Sequence, residues 1–244
     1  MVRWAVLSDV HGNLPALQAV LDRAERARVD GLLCAGDVVG YGPQPDACAD
    51  LVRRSGAVCV AGNHELLVLG RLGGERSSRR ARASAAWTRR VLNDETRAWL
   101  RTLPPQARVD GVTVAHGSLD DVEEYVTSAA RADQQLALAP QLVLGHTHRP
   151  WLHVGGRAAP TGNGPVELPQ DQPFLLNPGS VGEPRDGTRH ARFAVLDLGA
   201  RTVEHMDVPF DVTAARAAVA AAAQPLLVRR DIPRWAAPGR RVLR

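Results

Sequence analysis

A chain of 244 residues that is 45% hydrophobic and 23% charged can bury a substantial core, which excludes a disordered protein. Its formal charge of +4 implies a mild attraction to anionic partners and falls short of what a committed nucleic-acid binder carries. Every basic residue is arginine. The three cysteines, Cys34, Cys48 and Cys59, cannot all pair with one another and lack Cys-x-x-Cys spacing, which excludes a disulfide scaffold and a thiolate zinc site. With no apolar stretch of membrane-spanning length and a strand following Met1 directly, the expectation is a soluble, unprocessed cytoplasmic protein.

The apolar run Trp4 to Leu7 predicts a short buried strand that delivers Ser8-Asp9-Val10-His11-Gly12-Asn13 to a loop. If extended geometry persists to His11, a spacing of two sets the Asp9 carboxylate and the His11 imidazole on one face. Taken alone, a turn accounts for the pattern better than a metal site does. Behind Pro15, the positions Leu14, Leu17, Val20 and Leu21 predict an amphipathic helix to about Arg28. Gly31 to Ala35 is the next buried strand, ending in a loop from Gly36 to Pro43 whose only acid is Asp37. A helix from about Pro45 to Arg54 and a short strand from Ala57 to Ala61 lead to Gly62-Asn63-His64-Glu65. This rhythm argues a parallel βαβ start, with functional groups gathered at the carboxyl ends of strands.

From Leu66 to about Leu103 the pattern predicts two or three helices broken at Gly73-Gly74. Their arginines form a solvated basic face, and Trp87, Val91, Trp99 and Leu100 form the apolar side; the competing view makes this segment a basic cap over the site. Val112 to Ala115 is a strand ending at His116-Gly117-Ser118. The acids Asp120, Asp121, Glu123 and Glu124 that follow read as solvated rather than as a further metal site. A helix around Arg131 to Leu138 leads into Leu142 to Leu144 and then Gly145-His146-Thr147-His148. From Trp151 onwards, strands at about 151–154, 174–176, 192–197 and 203–208 with short connections imply an antiparallel half. Asn177-Pro178-Gly179-Ser180 reads as a structural turn in preference to one that brings a hydroxyl and an amide near the site. The alanine-rich run from Val212 to Ala223 is a last helix, and residues 224–244 form a basic tail. No linker or repeat splits the chain, so a single mixed α/β domain over 1–244 is expected.

Collected from the strand ends, Asp9, His11, Asp37, Asn63, His64, His116, His146 and His148 offer only oxygen and nitrogen donors. Two metal ions can share such a set if one carboxylate bridges, and Asp37, alone among glycines, is the natural bridge. The donor types suit Mn²⁺, with Fe²⁺ or Zn²⁺ as alternatives, better than calcium or magnesium. Five of the eight histidines sit in such loops. His153, His190 and His205 do not, and receive no role.

These motifs, in this order over residues 9 to 148, resemble the calcineurin-like metallophosphoesterases. The wording of 8–13, 36–43 and 177–182 is most similar to the compact bacterial branch of that family. The resemblance implies a four-layer fold of two mixed sheets flanked by helices. It implies one metal held by Asp9, His11, Asp37 and His148, and a second by Asp37, Asn63, His116 and His146. It further implies in-line attack on a phosphodiester by a water or hydroxide shared between the metals, with His64 protonating the leaving oxygen or stabilising phosphoryl charge.

The protein phosphatases and symmetrical dinucleoside tetraphosphatases of this family place an arginine where Tyr41 stands, and the protein phosphatases an aspartate where Gly40 stands. Both departures weigh against a phosphomonoesterase or dinucleotide phosphatase, and Tyr41 becomes a candidate substrate contact. The expected partner is a phosphate ester, nucleotides included. A metal-binding scaffold without activity is disfavoured because all seven ligand positions are present. A nucleic-acid-binding module lacks a basic motif with interleaved aromatics.

Overall fold

A computed structural model describes residues 2–162 and 164–222. The predicted basic tail lies outside these residues. Two six-stranded mixed sheets form the centre. The first has the order β3-β2-β1-β11-β12-β9, built from β1 (Arg3–Leu7), β2 (Gly31–Cys34), β3 (Val58–Cys59), β9 (Val166–Glu167), β11 (Ala191–Asp197) and β12 (Thr202–Val208). The second has the order β4-β5-β6-β10-β7-β8, from β4 (Gln106–Val109), β5 (Val112–Ala115), β6 (Gln141–Val143), β7 (Pro150–Val154), β8 (Arg157–Ala159) and β10 (Phe174–Pro178). Within the sheets β1, β2 and β3 run parallel, as do β5, β6 and β10, while β11 and β7 join them antiparallel.

The layering follows from the two-residue side-chain period of a strand. Val6, Val143, Phe174, Leu176, Ala194 and Leu196 point between the sheets and form the central core. Their strand neighbours Ala5, Leu7, Phe193 and Val195 face the other way, onto Leu17 and Val20 of α1 (Leu14–Arg26) and Cys48 and Val52 of α2 (Pro45–Arg54). Leu142 and Leu175 face Ala132 and Leu136 of α6 (Ala129–Leu138). Helix, sheet, sheet and helix thus stack as four layers, and the central strands are hydrophobic on both faces because both faces are covered. Among the described residues α7 (Val212–Ala221) completes the chain beside α1.

The stretch after residue 62 folds as α3 (Asn63–Leu69), α4 (Arg79–Val91) and α5 (Asp94–Thr102), packed on one another through Leu67, Val68, Ala85, Leu92 and Leu100. Its arginines are less solvated than expected. Arg89 donates to the Leu67 and Val68 carbonyls at the end of α3, and Arg97 to the Arg89 and Leu92 carbonyls at the end of α4. The last carbonyls of a helix have no partner within it, and a guanidinium fork satisfies two at once. Val91, predicted on the apolar side, is 43% exposed. The acidic loop is likewise paired rather than solvated: Arg131 holds Asp120 and Glu124, and Arg76 holds Asp121. No helix among the described residues is long and apolar enough to cross a membrane.

Candidate metal centre

All eight predicted donor residues converge, and all are buried. They do not converge in the expected way. β1 ends at Leu7, and the chain then turns through left-handed conformations at Asp9 (φ 55°) and His11 (φ 49°), so extended geometry does not carry the two side chains to one face. Asp37, Tyr41, His146 and His148 also have positive φ, between 52° and 65°. Residues with a Cβ pay for this conformation, and such outliers persist where surrounding structure over-determines them.

Those surroundings are visible. Asp9 and His11 N–H donate to the Gly36 and Asp37 carbonyls, tying the first two strand-end loops together. The turn after β10 props the first loop from the other side: Ser180 Oγ donates to the Asp9 carbonyl at 2.8 Å, and Val181 and Gly182 N–H donate to Ser8 and Asp9. Asn177 Nδ2 reaches the Gly145 carbonyl at 2.6 Å and so supports the His146 loop. Asn177-Pro178-Gly179-Ser180 is therefore structural, as expected, though what it holds is the site. Glu65 is the third brace. Its carboxylate accepts N–H groups from Asp37 (2.8 Å), Gly62 (2.7 Å) and Val39 (3.0 Å).

Asp37 Oδ1 accepts the His64 N–H at 2.8 Å, which leaves Oδ2 between two histidines, 3.7 Å from His11 Nε2 and 3.3 Å from His116 Nε2. Donor atoms fall into three compact groups. Asp9, His11 and His148 form one, and Asp37, His116 and His146 another; His11, Asp37 and His64 form a third that brings His64 among the donors, where the family resemblance leaves it outside both ligand sets. Asn63 Oδ1 lies 3.0 Å from His116 Nε2.

The tautomers test whether cations fit. A carbonyl can only accept, so His11 Nδ1–H donates to Val39, His148 Nδ1–H to Glu183 and His116 Nδ1–H to Ala35. The Nε2 atoms of neutral rings then carry lone pairs inward, with His11 Nε2 and His148 Nε2 only 3.2 Å apart. Both face Asp9 Oδ1, a buried oxygen with no hydrogen-bond donor. Lone pairs and a bare carboxylate oxygen gathered at such distances repel unless positive charge sits among them, and an unpaired buried acceptor alone costs roughly 1–3 kcal/mol. Backbone carbonyls fixing the outer nitrogen while the inner one faces a carboxylate is the arrangement of metal-binding histidines. The donors fit divalent cations.

The balance of burial and charge at the site points the same way. Burial pushes Asp9 up to about 7 against the opposing charge of His116. Burial would raise Asp37 too, but the charge of His116 beside it holds it well below the usual carboxylate range. Burial would lower His116, and Asp37 outweighs it, holding His116 up at about 10. Burial keeps His11, His64 and His148 below the usual imidazole range and His146 down at about 3. A proton on His116 is the positive charge the centre gathers when no metal supplies one.

A cleft of about 560 Å³ opens onto Asp37, Asn63, His64, His146 and His148. Tyr41 lies on one side, its ring 4.4 Å from that of His64 and 4.7 Å from that of His11. The Arg80 guanidinium covers Tyr41 at 4.4 Å and grips Glu183 with both nitrogens, at 2.5 and 2.8 Å. A larger hollow of about 820 Å³ beside Thr161, Gly162 and Gly164 meets this cleft only at Arg185 and contains none of the predicted site residues.

The comparisons with known proteins accord with this geometry. The model of the calcineurin-like phosphoesterase superfamily domain matches residues 2–201. The chain belongs to that superfamily. It is 30% identical over 237 residues to an uncharacterized protein of Methanocaldococcus jannaschii, covering 95% of this chain and 94% of the relative. It superposes with a TM-score of 0.81 on the crystal structure of a metallophosphoesterase from Sphaerobacter thermophilus, at 34% identity over 93% of this chain and 98% of that one. A symmetrical bis(5'-nucleosyl)-tetraphosphatase from Psychromonas ingrahamii is 34% identical over 102 residues, covering 41% of this chain and 37% of that protein. Membership makes the chain a phosphoesterase of a family that typically binds divalent metals.

Four residues at the site escaped the sequence: Glu65, Tyr125, Glu183 and Arg185. Arg80 belongs to the segment for which a basic cap was the competing view, and it does line the cleft. Glu65 had a local signal, since a Glu three residues after a helix start is the capping-box position. The other three acquire their places only through tertiary contacts.

Proposed function

We propose that this chain hydrolyses phosphodiesters at a centre of two divalent transition-metal ions, Mn²⁺ or else Fe²⁺ or Zn²⁺. Asp9, His11, Asp37 and His148 would hold one ion, and Asp37, Asn63, His116 and His146 the other. The observation that carries this reading is Asp37 Oδ2, which faces His11 on one side and His116 on the other while Oδ1 is occupied by the His64 N–H. When bound, two such ions polarise the phosphoryl group and activate water at neutral pH. The chain's own residues do the rest. Carbonyls of Val39, Ala35 and Glu183 fix the imidazole orientations, Glu65 and Ser180 hold the loops, and the cleft takes the ester arms. His64 faces the cleft beside Asp37 and acts on the leaving oxygen as general acid or charge stabiliser.

Diester preference rests on charge. A monoester dianion brings about one more negative charge than a diester, and a guanidinium at position 41 would meet it. Tyr41 stands there, and Arg80, the cation over it, is already consumed by Glu183. Comparing kcat/KM for an aryl diester and its monoester, in Mn²⁺ at neutral pH, tests this. The diester should be the better substrate, and Tyr41→Arg should shift the ratio towards the monoester. A clear monoester preference in the wild type would overturn the reading. The tetraphosphatase relative favours nucleotides among the substrates, so diadenosine tetraphosphate belongs in the same comparison.

A further inference from the structure

Three arginines line the cleft, and two are spoken for: Arg80 by Glu183, and Arg76 by Asp121. Arg185 is different. Among the described residues its guanidinium forms no ion pair within 4 Å, and its one side-chain hydrogen bond donates Nη1 to the Tyr125 hydroxyl at 3.2 Å. Its stem is anchored at the centre, because its backbone N–H donates to the His148 carbonyl at 3.1 Å. Its positive charge reaches Asp9, His11, His64, His146 and His148, and Glu183, already gripped by Arg80, is the carboxylate whose charge acts on it most.

Tyr125 is one of three large apolar side chains exposed among the described residues, at 52%, and the only one of them in the cleft. One face of its ring is stacked on His146, with centroids 4.2 Å apart and planes within 11°. With its hydroxyl held by Arg185, the ring is fixed in plane. A rigid aromatic ring exposed beside an uncommitted guanidinium matches a group that is flat at one end and anionic at the other. The chain's only two tyrosines, Tyr41 and Tyr125, both line this cleft, Tyr41 against His11 and His64 and Tyr125 against His146.

We propose that Arg185 and Tyr125 form the substrate-recognition pair of the centre: Arg185 takes a non-bridging oxygen of the scissile phosphate, and Tyr125 stacks a nucleobase or aryl group on its open face. The favoured substrates are therefore nucleotidyl or aryl phosphodiesters rather than alkyl ones. One unpaired guanidinium also matches the single negative charge of a diester. This inference rests on the phosphodiesterase reading above and specifies its substrate.

The test uses two diesters with the same leaving group, thymidine 5'-(p-nitrophenyl) phosphate and methyl p-nitrophenyl phosphate, on the Mn²⁺-loaded full chain. Tyr125→Leu should raise KM for the thymidine ester roughly ten-fold or more beyond the change it causes for the methyl ester, which reads the loss of the contacts to Arg185 and His146 alone. Tyr125→Phe should keep the discrimination. Arg185→Gln should lower kcat/KM for both esters by about 10- to 100-fold, the worth of a charged hydrogen bond, with partial recovery in Arg185→Lys. Equal effects of Tyr125→Leu on the two esters, or an Arg185→Gln variant with wild-type kinetics and metal content, would overturn the proposal. If the wild type cleaves neither diester, the phosphodiesterase reading fails while recognition is still decided by calorimetry. Arg185→Gln should then weaken both AMP and inorganic phosphate, and Tyr125→Leu should weaken AMP more than phosphate; unchanged AMP binding in both variants would overturn the pair.

Discussion

Glu65→Gln isolates one brace of the centre. In the wild type Oε2 accepts two backbone N–H groups, from Asp37 and Gly62, and Oε1 accepts one, from Val39. A glutamine can keep its amide oxygen at the Oε2 position and satisfy the first two, but its NH₂ then meets the Val39 N–H, donor against donor. One buried N–H is left without an acceptor, at roughly 1–3 kcal/mol. For a chain of this size that lowers Tm by about 2–12 °C. The loss also loosens the loop that carries Asp37, and weakening the support behind a metal ligand typically reduces metal affinity about 10- to 100-fold. Differential scanning calorimetry of the metal-free variant reads the first effect, and a Mn²⁺ titration reads the second. A variant with wild-type Tm and wild-type Mn²⁺ affinity would refute the view that Glu65 braces the Asp37 loop.

Two further substitutions bear on His64. His64→Ala should lower kcat by about 10²-fold or more on a diester with a poor leaving group while both metals stay bound; loss of a metal would instead place His64 in a donor set with His11 and Asp37, from which its ring is not far. Gly40→Ala should have a related effect by displacement. A Cβ there lies 2.2 Å from His64 Nδ1, and Gly40 has φ 86°, so the side chain must move and the backbone is strained by roughly 1–3 kcal/mol. Reduced turnover with unchanged metal content is expected, and full turnover would mean that the position of His64 does not matter.

Much of this site was legible because a parallel strand hands its last residues to a loop, and runs such as Trp4 to Leu7 and Leu142 to Leu144 announce themselves by apolar content alone. The mixed strand directions and the helices followed from the same runs, while the pairing of two sheets into four layers followed from the family resemblance. What failed had physical causes. β4, β8 and β9 are short edge strands with mostly uncovered faces, and the alternation in Gln106–Val109 runs for only four residues and that in Val166–Glu167 for two, too short to stand out. The left-handed turns at Asp9, His11, His146 and His148 were hidden because glycine is the residue that signals them, and none of these is glycine. Arginines at 89 and 97 look solvated by composition and are bound to helix ends by geometry. Arg80 meets Glu183 across 103 positions and Arg185 meets Tyr125 across 60, separations at which no spacing rule operates.

The claim everything else depends on is that Asp37 is shared by two metal ions, and metal stoichiometry tests it most directly. Asp37→Asn keeps an oxygen to accept the His64 N–H at the Oδ1 position, so the loop should hold its shape, while the charge facing His11 and His116 is removed. After reconstitution with Mn²⁺ and removal of free ion, elemental analysis should find two equivalents per wild-type chain and a content reduced at both sites, with activity lost, in Asp37→Asn. Two equivalents and normal turnover in the variant would contradict the account.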